Sequence, residues 1–196
     1  NLSLKKIGVK KIFCILLHDP KDAKSKDIIQ YVKSLKILKN KKLINYFGVS
    51  IYEPRDIFEI LKIWKPDIIQ IPANIFDHRF LNKRIVRKLK KHKIKIMVRS
   101  CFLQGLLIDK EISSIKFKKF KKNFNKFFNW CDDKNISYLK ACLHFLRSFK
   151  FIDFMVVGIN SRKHLEEIYK EKNSKKIKIP NYFKFHNLNV IDPRRW

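Results

Sequence analysis

Polar side chains stand at a repeated place in this sequence, at or just past the ends of short apolar runs. His18 follows residues 12–17, and Ser50 follows residues 44–49. Gln70 and Asn74 lie at the end of residues 68–71. Arg99 and Ser100 follow residues 94–98, and Gly158, Asn160 and Ser161 follow residues 154–157. An imidazole gives or takes a proton near neutral pH. Hydroxyl and carboxamide groups both donate and accept hydrogen bonds, and loop N–H groups can bind anions. Together these groups could polarise a carbonyl, hold an amide and seat a phosphate.

The runs themselves are rich in Ile and Val, and several are continuous rather than alternating. That is the pattern of strands buried on both faces. Between them lie stretches with helical spacing: Ile28, Val32, Leu35 and Leu38; Ile57, Ile60, Leu61 and Trp64; Ile85 and Leu89; Leu139, Cys142, Leu143 and Leu146. Each predicts a helix that buries one stripe. Glu53-Pro54 marks a helix start, and Asn160-Ser161 offers a cap for a later one. Strand and helix in alternation predict an α/β fold with a parallel sheet. In such folds ligands bind at the carboxyl ends of the strands, where the polar residues fall. A doubly wound sheet and a (β/α)8 barrel both fit, and the barrel needs three more strands before Asn1.

The chain has 196 residues, 45% of them hydrophobic and 17 of them Phe. That suits one domain with a real core and excludes a disordered polymer. No apolar run is long enough to span a membrane, and residues 1–11 lack the pattern of a signal peptide. Cys14, Cys101, Cys131 and Cys142 form no C-x-x-C pair and lie in apolar segments. They read as reduced core cysteines of a cytoplasmic protein rather than as a zinc site.

The net charge is +29, from 46 Lys and Arg against 17 Asp and Glu. Lys dominates and is spread over every segment, while Arg is sparse and unclustered. The charge reads as a solvated coat with no specific nucleic-acid site. Phe117, Phe120, Phe124 and Phe127 form a helical stripe within residues 116–128, flanked by Lys116, Lys118, Lys119, Lys121 and Lys122. It is expected to face the core rather than a membrane surface. The tail 173–196, Lys-rich and then aromatic, is expected to pack over one end of the sheet.

Five motifs in order carry a family resemblance: Leu17-His18-Asp19-Pro20; Phe47-Gly48-Val49-Ser50; Ile69-Gln70 with Asn74; Ser100 with Phe102-Leu103-Gln104-Gly105; and Val156-Val157-Gly158 followed by Leu165-Glu166-Glu167. From about residue 3 to about residue 168 the chain resembles the aldo-keto reductases, over strands four to eight of their barrel. The resemblance implies a partial (β/α)8 TIM barrel of about five parallel βα units, a single domain over 1–196. It implies an NAD(P)H-dependent oxidoreductase that reduces an aldehyde or ketone by hydride transfer. His18 would polarise the carbonyl oxygen. Ser50 and Gln70 would hold the nicotinamide carboxamide, Arg99 would lie where an aromatic usually covers the ring, and Ser100 and Phe102 would approach the pyrophosphate. Gly158, Asn160, His164 and Glu167 would surround the adenosine end. NADP and NAD both remain open.

Three positions depart from the family pattern. Ile51 replaces an Asn, Arg99 an aromatic, and Gly158 or Ile159 stands where a basic residue often reads the 2′-phosphate. The family's Tyr acid and its Lys and Asp partners would lie before Asn1, and no later residue obviously replaces them. The chain alone is therefore expected not to reduce carbonyls at an enzymatic rate, and to act as part of a longer chain. The alternative is an inactive truncated relative that binds or scaffolds.

Overall fold

The computed structural model describes residues 2–110 and 115–196, and among them the side chains of all but Ile115 and Lys116. In chain order the elements are α1 (Leu2–Ile7), β1 (Ile12–Leu17), α2 (Ile28–Asn40), β2 (Ile44–Ser50), α3 (Pro54–Ile63), β3 (Ile68–Pro72), α4 (Lys83–Lys91), β4 (Lys95–Arg99), α5 (Lys121–Asp133), α6 (Tyr138–Arg147), β5 (Phe154–Met155), α7 (Arg162–Lys170) and α8 (Leu188–Ile191), with short 3-10 turns between. The strands form one sheet in the order β1-β2-β3-β4-β5. Strand β1 pairs with β2 in parallel, Leu17 opposite Val49, and β2 with β3, Ser50 opposite Gln70.

The sequence-based strands agree with these to within two residues. Ser50 and Arg99 are the last residues of their strands rather than the first beyond them, and β5 is shorter than expected. Residues 116–128 differ more. They begin in a 3-10 turn, Ile115–Phe120, and only then enter α5, which runs on to Asp133. Phe120, at the boundary, offers no side-chain cap. Phe117, Phe124, Phe127 and Phe128 are buried while Lys118, Lys119, Lys121 and Lys122 are exposed, so the aromatic stripe faces the core. No helix of the described residues is long and apolar enough to cross a membrane.

Packing divides the chain into two compact units, Asn1–Ile71 with Asn82–Met97, and Pro72–Leu81 with Val98–Trp196. In the first unit, Gly48 of β2 stands opposite Ile68 of β3. A Cβ on Gly48 would lie 1.9 Å from the Ile68 carbonyl oxygen. Asp67, just before β3, accepts the Phe47 N–H at 3.1 Å and Lys39 Nζ at 2.7 Å, fixing β2 and α2 together. Helix α3 opens on a capping box in which the Glu53 and Asp56 side chains serve each other's backbone N–H groups, with Pro54 at its first position. Trp64 Nε1 donates to the Ala23 carbonyl at 2.9 Å.

In the second unit the core is aromatic. Phe76 lies 5.0 Å from Phe124, and His78 stacks on Phe145 at 4.8 Å. Helices α6 and α7 begin at Ser137 and Ser161, whose hydroxyls accept the N–H groups of Lys140 and His164. The C-terminal tail packs on α5, on the 3-10 turn before it and on the turn after β3. Phe183 meets Phe127 edge to face at 5.5 Å, Trp196 meets Phe117 at 5.0 Å, and the Phe185 N–H donates to the Phe76 carbonyl.

Candidate functional site

In the first unit His18 follows the last residue of β1, Ser50 is the last residue of β2, and the parallel register sets Ser50 opposite Gln70, the middle residue of β3. His18 is exposed, in a turn held by Asp19 Oδ1, which accepts the Lys21 N–H at 2.8 Å. Ser50 is buried. Gln70 is half-buried, and its Nε2 donates to Met97 Sδ at 3.3 Å. Sequence reasoning passed over Tyr52, whose hydroxyl lies 3.5 Å from His18 Nε2. Its place two residues past Ser50 was the only available signal.

In the second unit a pocket of about 360 Å³ opens beyond β4 and β5. It is lined by Arg99, Ser100, Phe102, Gln104, Gly105, Gly158, Asn160 and His164, among others. Six residues singled out from the sequence thus meet in one cavity. Glu167 does not line it. That residue lies in a neighbouring pocket of about 860 Å³, which Asn160 and His164 also border.

The loop after β4 has an unusual backbone. Ser100, Leu103 and Gln104 have φ of 59°, 49° and 55°, and Gly105 has 92°. Left-handed conformations at Leu and Gln cost about 1–2 kcal/mol each. Strain of this kind concentrates where a loop shapes a binding site. Arg99 Nη1 donates to Ser100 Oγ at 3.2 Å, so its guanidinium turns toward the loop it precedes.

Asn74 anchors the loop from below. It is buried, its Oδ1 accepts the Phe76 and Asp77 N–H groups at 2.9 Å each, and its Nδ2 donates to the Ser100 carbonyl at 3.1 Å. The carboxamide is occupied three ways by protein.

His164 lies across the pocket with its ring 6.0 Å from Phe102. Its Nε2 is buried and has no protein partner. A buried polar nitrogen of this kind costs about 1–3 kcal/mol unless something satisfies it.

The cysteines take no part in chemistry here. Burial pushes the thiols of Cys101 and Cys131 up to about 12 and that of Cys14 up to about 11, and raises that of Cys142 well above its ordinary value. They stay protonated and non-nucleophilic.

The model of the Aldo/keto reductase family matches residues 1–178. The chain belongs to that family. A search of the curated proteins gave no match. Among solved structures, the chain is similar to the aldo-keto reductase AKR11C1 from Bacillus halodurans, apo form, at 16% identity and a TM-score of 0.76, over 99% of this chain and 69% of that one. The holo form gives 17% and 0.67 over 90% and 60%. The glycerol dehydrogenase AKR11B4 from Gluconobacter oxydans gives 17% and 0.59 over 86% and 61%. At such identities the likeness shows the fold. This family member is an α/β protein built as a partial (β/α)8 barrel of five parallel strands with their helices. It spans less than two thirds of the second and third of those chains.

Proposed function

We propose that this protein is an NAD(P)H-dependent oxidoreductase that passes hydride from the C4 of a reduced nicotinamide to the carbonyl carbon of a small aldehyde or ketone, working as a single aldo-keto-reductase-like domain. Family membership supports the oxidoreductase class. The observation that carries the cofactor reading is the pocket beyond β4 and β5, where the strained loop, Phe102 and His164 line one cavity. Ser100, Phe102 and the loop N–H groups would take the pyrophosphate. Gly158, Asn160, His164 and Glu167 would take the adenosine end. Arg99 would lie beside the nicotinamide, stacking by its guanidinium plane.

In the first unit, Ser50 and Gln70 would hold the carboxamide and His18 would donate a hydrogen bond to the carbonyl oxygen. As hydride reaches the carbon, the π pair moves onto that oxygen, and a donor placed there stabilises the developing charge. The cofactor supplies the hydride; the chain's residues bind, orient and polarise.

NADPH titrated into the chain is expected to bind saturably, with affinity reduced in Phe102→Ala and His164→Ala. His18→Ala should leave that affinity intact and remove any aldehyde-dependent NADPH oxidation. Binding that is absent, or indifferent to both pocket substitutions, would sink the cofactor reading.

A further inference from the structure

We infer that Tyr52 is a positioning residue for His18, its phenolic oxygen holding the imidazole at the carboxyl ends of β1 and β2. This rests on the oxidoreductase reading and names a residue within its site. The hydroxyl lies 3.5 Å from Nε2. That is long for a hydrogen bond, as such bonds often are before substrate closes the site.

The two side chains are presented by backbones that cannot drift. Ile51 is fully buried, and its N–H donates to the Gln70 carbonyl at 2.9 Å. On the other side of Tyr52, the Glu53 N–H donates to Asp56 Oδ2 at 3.0 Å in the capping box of α3. Tyr52 is thus one residue clamped between two fixed neighbours. Opposite it, β1 ends at Leu17, in register with Val49, and the turn after His18 is pinned by Asp19 and the buried Pro20. Strand register therefore brings the phenol and the imidazole together.

The chemical consequence concerns the imidazole proton. To polarise a carbonyl oxygen, the nitrogen facing it must carry hydrogen. A neutral imidazole chooses between two tautomers, and the partner of one nitrogen decides. The Tyr52 hydroxyl, donating to Nε2, keeps the proton on Nδ1, where it is free for a carbonyl oxygen, and restrains the ring's rotation. Phenylalanine at this position would fill the same space without supplying the donor.

The experiment uses chain 1–196 labelled with ¹⁵N-histidine, as wild type and Tyr52→Phe, near pH 8.5, about two units above the ordinary histidine value. The wild-type His18 ring nitrogens are expected to show a raised share of Nδ1–H. In Tyr52→Phe the two nitrogens should move toward averaged tautomers, with circular dichroism and NADPH affinity unchanged. Any residual aldehyde-dependent NADPH oxidation, followed in parallel, should fall between about 10- and 100-fold in kcat/KM, with no change in the KM for cofactor. An identical His18 nitrogen pattern in the two proteins overturns the pairing. Absence of NADPH binding by the wild type overturns the oxidoreductase reading, and the role within it, separately from the spectroscopic result.

Discussion

Asn74 Nδ2 donates to the Ser100 carbonyl across 3.1 Å, tying the turn after β3 to the first residue beyond β4. The same carboxamide accepts two backbone N–H groups of its own turn. A residue matched as part of a ligand-binding motif is thereby committed to holding a loop.

Asn74→Ala removes three hydrogen bonds at a buried position and leaves backbone groups without partners. The expected loss is about 2–4 kcal/mol, read as a lower urea midpoint. Asn74→Asp keeps the two acceptor contacts and turns a donor into an acceptor facing the Ser100 carbonyl. Its NADPH affinity should therefore fall even where the fold survives. Full wild-type stability in Asn74→Ala would contradict the anchoring role.

Gly48→Ala should destabilise by at least about 3 kcal/mol, because the new methyl meets the Ile68 carbonyl oxygen at 1.9 Å and two hydrogen-bonded strands cannot part cheaply. Gly105→Ala meets nothing within 4 Å, and only its φ of 92° resists, so about 1–2 kcal/mol is expected there. Chemical denaturation of the two variants checks the order. A Gly105 variant weaker than the Gly48 variant would reverse the assignment of packing and backbone strain.

Acidification should loosen the second unit. His144 is buried on α6, its Nδ1 accepts the Ile177 N–H at 3.0 Å, and its Nε2 faces Ser174 Oγ at 2.8 Å and Glu171 Oε2 at 3.2 Å. Burial pushes its pKa down, aided by Arg147 and Lys140 and opposed by Glu171. The contact with Glu171 is therefore a neutral imidazole donating to a carboxylate rather than an ion pair at neutral pH. His78 is lowered too, first by burial. With folded values below the unfolded one of about 6.5, the unfolded chain binds more protons, so stability falls as pH drops below about 6.5. His144→Gln should flatten that slope in thermal melts run from pH 7.5 to 5. An unchanged slope would remove His144 as a contributor.

Thiol chemistry should be nearly silent in the folded state. Iodoacetamide at pH 8 is expected to leave Cys101, Cys131 and Cys142 unmodified for as long as the fold persists, with Cys14 reacting slowly, and to label all four in urea. Mass spectrometry reads the count. Rapid labelling of Cys101 in the native protein would refute its burial against the Val156 carbonyl.

Strand positions were legible because buried parallel strands write themselves as unbroken Ile and Val runs, as at Ile12–Leu17. Helices α2, α3, α4 and α6 carry apolar stripes long enough to read. Helix α1 buries no residue, and so leaves no stripe. The change from 3-10 to α within residues 115–133 keeps the aromatic spacing while altering the turn, so periodicity reads it as one helix. The pocket residues were legible as strand-end motifs. Tyr52 was not, since its meeting with His18 depends on the register of two strands and on no local pattern. His144 looked like one more residue of a helix, because its partners lie 27 to 33 positions on, in the turn after α7 and in the tail.

The sheet order β1-β2-β3-β4-β5 repeats the order of synthesis. Each new strand pairs with the one made just before it; the first three pairings each close a loop of a single helix and its turns, and the last closes one that carries α5 and α6. Such short closures favour quick assembly. A nascent chain can add strands one at a time to an edge already waiting.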